Sequence, residues 1–411
     1  MIKNNSNSFH QNLFWQKAFF FLLPILSNLK IFPNTAFDLL LGIVAVLSIR
    51  KPIQKCLLLW VMAWMSGVYF CGLFLEPAGS NAFLSCLRYL MVAGIVIGLN
   101  GNIAFNHETA RFYILGTLAI AGLFVGAVWI GYHFKWEVMW MQKKLFCGPS
   151  FLSFTIMAGF SLSLIFWRDY PRTYVTMLAI ALFISPIMES RVLEWFSFFI
   201  IPFSLVPIYY FFKKNRLLFI LSIAAILLSM FCQTPILRGA GLWPWSIEKR
   251  QINPLLRIKE RISHDLVSAE FDQDRKSQVK RIFGLHALPD DLIGRGGMQH
   301  QKNGNENFDP RSCLVARPVG GLVQKYDGGI VLVLLTILLF LTSLIKPLIS
   351  IRHSFDWKCI YLIFFLAVSY SLLFITNPTG SLQWWLFLAP KGFLCSLFGG
   401  KPSPGYALKH S

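Results

Sequence analysis

The chain has 411 residues, of which 55% are hydrophobic and 14% are charged, and its mean hydropathy is +0.56. A soluble domain carries about 25% charged residues, and apolar segments near the length of a membrane span recur along this chain. Its composition therefore excludes an ordinary soluble protein. The formal net charge of +19 does not by itself indicate a nucleic-acid-binding protein, because Lys and Arg collect in the cytoplasmic loops of membrane proteins. We expect the lipid bilayer as a partner and no nucleic acid.

The apolar segments predict an all-α fold, a polytopic membrane helical bundle of about 12 transmembrane helices with one large helical loop on the outer side. No small-residue cleavage site follows the first apolar run, so we expect this run to remain as the first span. In chain order, the predicted spans cover residues 14–30, 36–50, 55–74, 82–99, 110–131, 150–167, 173–189, 191–212, 217–233, 327–345, 357–376 and 382–398.

Loop charge predicts the orientation of these spans. Lys or Arg lie in or next to every predicted inside loop, for example Arg111 at the start of the fifth span, Arg168 and Arg172 after the sixth, and Lys213 and Lys214 after the eighth. The intervening short turns, 75–81 and 376–381, carry neither. By the positive-inside rule, both termini are predicted to be cytoplasmic. The outer segments 133–150 and 234–326 are basic too, which is permitted because long loops translocate regardless of charge.

Three regions follow from this topology. Residues 1–233 form an N-terminal transmembrane bundle of about nine spans, 234–326 form the outer loop, and 327–411 form the C-terminal spans with a cytoplasmic tail. Within the loop, apolar residues recur at roughly helical spacing in 255–271 and 274–285. This pattern predicts amphipathic helices that lie on the membrane surface or cap the bundle.

Arg191, in the stretch SPIMESRVLEWF, lies at the predicted outer mouth of the eighth span, on the same side as the long loop. Arginines of that loop can therefore converge with Arg191 on one external site. A planar guanidinium binds phosphate oxygens through two parallel hydrogen bonds, so an arginine cluster at headgroup depth suits a lipid-linked diphosphate. When a sugar–phosphate bond is cleaved, fixed arginines stabilise the negative charge that develops on the leaving group.

Structural roles compete with this interpretation. Glu194 follows Arg191 by three residues, the spacing of an ordinary ion pair on a helix surface. Arg88, within the fourth predicted span, is either a pocket residue or the partner of a carboxylate on another helix. Cys147 and Cys313 both lie on the outer side and are candidates for a disulfide. Candidates for a general base are present in the loop, but no local feature selects one among His264, Asp265, His286, His300 and Asp309.

The eight cysteines include no Cys-x-x-Cys pair and no His/Cys spacing typical of a metal site. The chain also lacks a P-loop, a Gly-x-Ser-x-Gly motif and a His-Glu-x-x-His motif. We therefore expect neither a metal ion nor an organic cofactor. Cys56, Cys71, Cys86, Cys359 and Cys395 lie in apolar runs, which favours a packing role for them.

Three short motifs occur in an order that matches a known enzyme family. Ser190 and Arg191 open an outward-facing span in MESRVLEWFSFFIIPF, Arg275 lies in DRKSQVKRIF within the large outer loop, and LIGRGG is followed by LVQKYDGGIVLVLL. These resemble the Thr/Ser-Arg motif, the second essential arginine, and the Gly-x-Gly turn with a Gly-rich span entry of the O-antigen ligase and O-antigen polymerase superfamily of bacterial membrane enzymes. The resemblance is best over residues 150–346.

The resemblance implies a metal-independent glycosyltransferase of the bacterial inner membrane. Such an enzyme takes a glycan from undecaprenyl diphosphate at the periplasmic face and passes it to an acceptor hydroxyl. The acceptor is a second lipid-linked glycan in a polymerase and lipid A-core in a ligase. Arg191 and Arg275 would act on the diphosphate, and further substrate-binding candidates are Arg88, Arg281, Arg295, Arg311, Arg317 and Asp309.

One departure from the family pattern separates these two branches. Ligases carry a His-Asn pair shortly before the last glycine of the motif, whereas here Arg317 and Pro318 stand near the His position. This favours a polymerase of surface polysaccharide, in which an acidic residue such as Asp309 often lies nearby, and leaves a divergent ligase as the alternative. A lipid-linked oligosaccharide transporter is a more remote alternative, since no repeated halves with Gly/Pro-broken spans are found. A structural envelope protein is a third class, which would need no convergence of arginines.

Overall fold

The computed structural model describes residues 4–29, 57–75, 86, 90, 107–134, 145–146, 149–188, 191–231, 239–240, 320–353 and 357–375. Within these ranges the chain is helical, with turns, one isolated bridge between Leu29 and Phe146 and no strand. The prediction of an all-α fold is therefore confirmed for the described residues. The helices, numbered in chain order, are α1 Asn4–Asn28, α2 Leu57–Leu75, α3 His107–His133, α4 Pro149–Ile165, α5 Pro171–Met188, α6 Arg191–Phe212, α7 Arg216–Phe231, α8 Gly320–His353 and α9 Trp357–Ile375.

The helices fall close to the predicted spans, with two clear differences. Helix α6 has the bounds predicted for the eighth span, 191–212, whereas α1 begins at Asn4 rather than at residue 14. Helix α8 runs from Gly320 to His353, beyond the predicted 327–345 at both ends. Hydropathy marks only the apolar part of a helix, while backbone hydrogen bonds continue into polar flanking residues such as NNSNSFHQN in α1.

Several predicted elements lie outside the described residues. These are the spans 36–50 and 382–398, most of the span 82–99, the loop helices 255–271 and 274–285, and the cysteine pair Cys147 and Cys313. Cys86, which is helical within the fourth predicted span, and Cys359 of α9 are buried thiols. The packing role predicted for these two cysteines is thus confirmed.

Helix His107–Gly131 is long and apolar enough to cross a bilayer. The other apolar helical stretches with described side chains are shorter, at 10–17 residues.

The chain divides into two compact units. The first comprises Met1–Asn34, Ala110–Lys280 and Asp356–Val368, and the second comprises Thr35–Thr109, Arg281–Phe355 and Ser369–Ser411. In the first unit, α4, α5 and α6 all contact one another, α7 packs on α5 and α6, and α1 packs on α4. Buried apolar side chains fill the space between these helices, among them Ile156, Phe160, Met177, Ala181 and Ile200.

Small residues allow the backbones of α1, α3 and α4 to approach closely. A Cβ atom added at Gly116 of α3 would overlap the carbonyl oxygen of Phe21 and lie 2.7 Å from Cγ of Pro24 in α1. A Cβ atom at Gly159 of α4 would lie 2.7 Å from Cγ2 of Thr117 in α3. Glycine is thus required where these helices touch, because a larger residue would overlap the neighbouring helix.

A buried asparagine joins α1 to α4. The Asn28 side chain is 1% exposed, and its Nδ2 donates hydrogen bonds to the Pro24 carbonyl at 2.7 Å and to Thr155 Oγ1 at 2.8 Å. Its Oδ1 has no hydrogen-bond partner within the described part of the chain. The amide therefore fixes the end of α1 against the first turns of α4, at the cost of one unsatisfied acceptor.

A proline in α6 leaves a backbone carbonyl free to accept a hydrogen bond from α9. Pro207 of α6 has no N–H, so the carbonyl four residues before it, that of Phe203, lacks its usual helical donor. The hydroxyl of Tyr361 in α9 donates to this carbonyl at 3.0 Å. The rings of Phe203 and Phe364 pack beside it with centroids 4.1 Å apart. Side-chain donation to a carbonyl freed by proline is one way in which proline is tolerated inside a helix.

Replacing Tyr361 by phenylalanine removes this donor and leaves the Phe203 carbonyl without a partner. We expect the free energy of unfolding to fall by about 1–2 kcal/mol, the cost of leaving a buried acceptor unsatisfied. Thermal unfolding of the purified protein in detergent measures the effect. Tyr209→Phe is the control. Tyr209 is 55% exposed, so loss of its hydroxyl should change the free energy of unfolding little. Equal melting temperatures for the two variants would contradict the role assigned to Tyr361.

In the second unit, α2 packs against α8 at a break in α8. Gly329 has φ 69° and ψ −173°, a backbone conformation adopted essentially only by glycine. Next to it, the Gly328 carbonyl accepts a hydrogen bond at 2.9 Å from the indole Nε1–H of Trp64 in α2. The predicted Gly-rich entry to the tenth span thus coincides with an interruption of the helix, and α2 supplies a donor there.

Large apolar side chains cover the outer surface of several helices. In α7, Leu217, Ile220 and Leu228 are each at least 60% exposed, and in α8 Leu334 is 59% exposed and Leu341 52% exposed. Contiguous apolar surface of this kind marks contact with a membrane or another protein.

Candidate functional site

Of the residues predicted to bind substrate, the described ranges contain Arg191. The described ranges do not include the other candidates, which are Arg88, Arg275, Arg281, Arg295, Arg311, Arg317 and Asp309. Convergence of the loop arginines with Arg191 therefore stays a prediction. The described residues also contain no group of three His, Cys, Asp or Glu side chains able to hold a metal ion.

Arg191 is the first residue of α6, and α5 ends three residues earlier at Met188. Helices α5 and α6 contact each other. At the start of a helix, the first backbone N–H groups have no intrahelical partner and carry a partial positive charge. An anion bound at the start of α6 would therefore meet this partial positive charge. The described side chains include neither that of Arg191 nor that of Glu194, so the ion pair between them stays a hypothesis, as does the role of Arg191 in a site.

The opposite end of α6 holds a different group of charges. The guanidinium of Arg168 lies 4.9 Å from the ring centroid of Tyr210 and 5.3 Å from that of Trp167. The guanidinium of Arg111 in α3 lies 4.9 Å from the ring centroid of Tyr170. We call these five residues the cation–aromatic end of the first unit. Arginine over an aromatic face is held by the ring quadrupole, and tyrosine and tryptophan are typical of membrane–water interfaces.

The helices place Arg191 far from this end. Tyr210 lies near the end of α6, so Arg191 and Tyr210 are separated by roughly 28 Å at 1.5 Å per residue. The hydrocarbon core of a bilayer is about 30 Å thick. Trp167, just after α4, also packs on Phe211 of α6, with ring centroids 5.2 Å apart. Since the ends of α4 and α6 meet there, their first residues, Pro149 and Arg191, lie towards the other end of the unit.

The turn between α4 and α5 fixes the position of Arg168. The N–H groups of Asp169 and Tyr170 both donate to the Phe166 carbonyl, at 3.1 Å and 3.0 Å. The N–H of Tyr174 then donates to the Tyr170 carbonyl at 3.0 Å, which begins α5. Arg168 therefore projects from a tight hydrogen-bonded turn and is exposed to its surroundings.

Loop charge identifies Arg168 only as a marker of orientation, and it does not predict the aromatic partners of Arg168 and Arg111. The available signal was the density of Trp and Tyr beside the basic loops, in FWRDY at 166–170 and IYYFFKK at 208–214. Such clusters are typical of the aromatic belt at a membrane surface. Which ring each arginine meets depends on packing between helices that are distant in sequence.

The chain was compared with protein-family models, with curated proteins and with solved structures, and no match was found in any of the three comparisons.

Proposed function

We propose that this protein is a membrane glycosyltransferase that moves a glycan from undecaprenyl diphosphate to an acceptor hydroxyl at the periplasmic face, and that it acts as a polymerase of surface polysaccharide. In this proposal the chain is a bundle of about twelve transmembrane helices in the bacterial inner membrane. Both termini are cytoplasmic, and segment 234–326 is periplasmic. The acceptor is a second lipid-linked glycan, and the reaction uses no metal ion.

The observation that carries the proposal is the position of Arg191 at the start of α6, at the end of the first unit away from Arg111 and Arg168. If the cation–aromatic end lies at the cytoplasmic surface, as the positive-inside rule favours, Arg191 lies at the external surface. A separation of roughly 28 Å along α6 is consistent with helices that cross the bilayer.

Exposed apolar side chains support the membrane part of the proposal. Leu217 and Ile220 of α7 and Leu334 of α8 are between 59% and 65% exposed. Exposure of this much apolar surface to water would be costly, at about 25 cal/mol per Å². Lipid chains around the bundle would remove this cost.

The chemistry assigned to Arg191 is stabilisation of a leaving diphosphate. The bond from the glycan to the phosphate oxygen breaks as the acceptor hydroxyl attacks, and the charge that develops on the diphosphate is met by guanidinium groups and by the first N–H groups of α6. Arg275 is proposed as the second arginine on the diphosphate. Arg281, Arg295, Arg311, Arg317, Arg88 and Asp309 are proposed to line the substrate site.

The glycan profile of a deletion strain tests the proposal and separates the two branches of the family. Loss of a polymerase leaves single repeat units on lipid A-core, which is the expected result. Loss of a ligase would instead leave long chains on undecaprenyl diphosphate. An unchanged profile of both the surface glycan and the lipid-linked glycan would contradict glycosyl transfer by this protein.

A further inference from the structure

Two arginines of the first unit are pre-positioned on aromatic faces beside one turn. Arg168 belongs to the turn between α4 and α5, and the Arg111 guanidinium lies over Tyr170 of the same turn at 4.9 Å from the ring centroid. Both arginines are exposed. A guanidinium held over a ring has already lost much of its side-chain freedom, and a guanidinium has five N–H donors with which it can bind an anion. The arrangement therefore resembles a prepared anion site more than two solvated surface charges.

Further basic residues of the first unit surround this turn. Arg172 lies in the first turn of α5, and the connection from α6 to α7 carries Lys213 and Lys214, all exposed. The turn itself contains one acidic residue, Asp169, and this side chain already interacts with another group. Positive charge therefore predominates at this end, and the complementary ligand is an anion.

Apolar surface next to the cations identifies the kind of anion. Phe211 is 40% exposed and Leu217 is 65% exposed, on either side of the basic connection between α6 and α7. Tyr210, whose ring lies under the Arg168 guanidinium, is itself 40% exposed. A ligand that satisfies both surfaces has a phosphate group joined to hydrocarbon chains, as a phospholipid does and free phosphate does not.

We propose that the cation–aromatic end binds the phosphate of an anionic glycerophospholipid, with Arg168 and Arg111 as the two contacts and the acyl chains against the apolar side chains of α6 and α7. This site lies at the opposite end of the first unit from Arg191. The proposal rests on the membrane placement in the proposed function and not on glycosyl transfer. The lipid-binding experiment can therefore fail while glycosyl transfer stands, and glycosyl transfer can fail while the phospholipid site stands.

The test is lipid binding to the full-length protein in detergent, measured by native mass spectrometry with dioleoylphosphatidylglycerol and, in parallel, dioleoylphosphatidylcholine. A micelle has no anionic surface, so diffuse attraction is absent and direct contacts decide the result. We expect phosphatidylglycerol to bind better, and Arg168→Gln to weaken its binding by about five- to tenfold, because one charged contact near a phosphate is worth this much. Arg168→Lys keeps the charge but loses the planar fork, so it should weaken binding by about two- to threefold.

Arg216→Gln is the matched control, because it removes the same charge at the same end of the unit from an exposed position at the start of α7. Its effect on phosphatidylglycerol binding should be less than about twofold. An equal loss in Arg168→Gln and Arg216→Gln would overturn the site in favour of general surface charge. Equal binding of the two lipids, or displacement of the lipid by millimolar inorganic phosphate, would overturn the phospholipid as its ligand. The melting temperature of each variant shows whether a loss reflects unfolding instead, and Arg111→Gln then provides an independent second test.

Discussion

Replacement of Arg191 by alanine is expected to abolish the surface glycan while the protein remains at its normal level in the membrane. The guanidinium is proposed to meet the negative charge that develops on the leaving diphosphate. Loss of one such donor in a site with excluded water lowers the rate by about 100- to 1,000-fold. The measurement is the glycan profile of a deletion strain complemented with the variant, normalised to the amount of tagged protein in the membrane fraction.

Glu194→Ala separates this role from the structural alternative. If Arg191 only formed a helix-surface ion pair with Glu194, removal of either partner would cost a few tenths of a kcal/mol and would change protein abundance similarly. We expect Glu194→Ala to leave the glycan unchanged. Arg191→Lys should restore only part of the activity, because lysine keeps the charge but does not bind phosphate through a planar fork. Normal glycan in Arg191→Ala would remove this residue from the site.

Sequence periodicity and hydropathy predicted where the helices of the first unit lie. Helix α6 has the predicted bounds 191–212, and α3 extends a few residues beyond the predicted 110–131. This success has a simple cause, because an apolar segment of span length satisfies its backbone groups most readily as a helix. The polar start of α1 and the extension of α8 to Gly320 were not predicted, since hydropathy does not report on helical backbone in polar flanking sequence.

The contacts between helices could not be predicted from one sequence. Pro207 could be expected to free a carbonyl in α6, but its donor, Tyr361, follows more than 150 positions later in the chain. The same limit applies to the candidate site. The sequence placed Arg191 at a helix start, which the structure shares, but the pairing of Arg168 with Tyr210 and of Arg111 with Tyr170 depends on how α3, α4 and α6 pack. Residue type and spacing indicate which groups are available, and tertiary packing decides which of them meet.

The largest effect on folding is expected from Gly116→Ala in α3. The added methyl group would overlap the Phe21 carbonyl oxygen of α1, and it would also lie 2.7 Å from Pro24 Cγ. A backbone atom cannot rotate away as the end of a side chain can, so α1 must shift as a whole. Overpacking of this kind costs about 1–3 kcal/mol in the free energy of unfolding. Separation of α1 from α3 would also strain the Asn28 amide, which fixes the end of α1 to Thr155.

Gly122→Ala in the same helix is the matched control. A Cβ atom at Gly122 meets no described atom within 4 Å, so the substitution should only reduce the freedom of the unfolded chain and stabilise the helix by up to about 1 kcal/mol. Unfolding of both variants in mixed micelles, with increasing fractions of sodium dodecyl sulfate, gives the two free-energy changes with opposite signs. The comparison removes the general preference for alanine over glycine in a helix, which acts equally at both positions. A stabilising effect at Gly116 as well would mean that α1 does not approach α3 through this glycine.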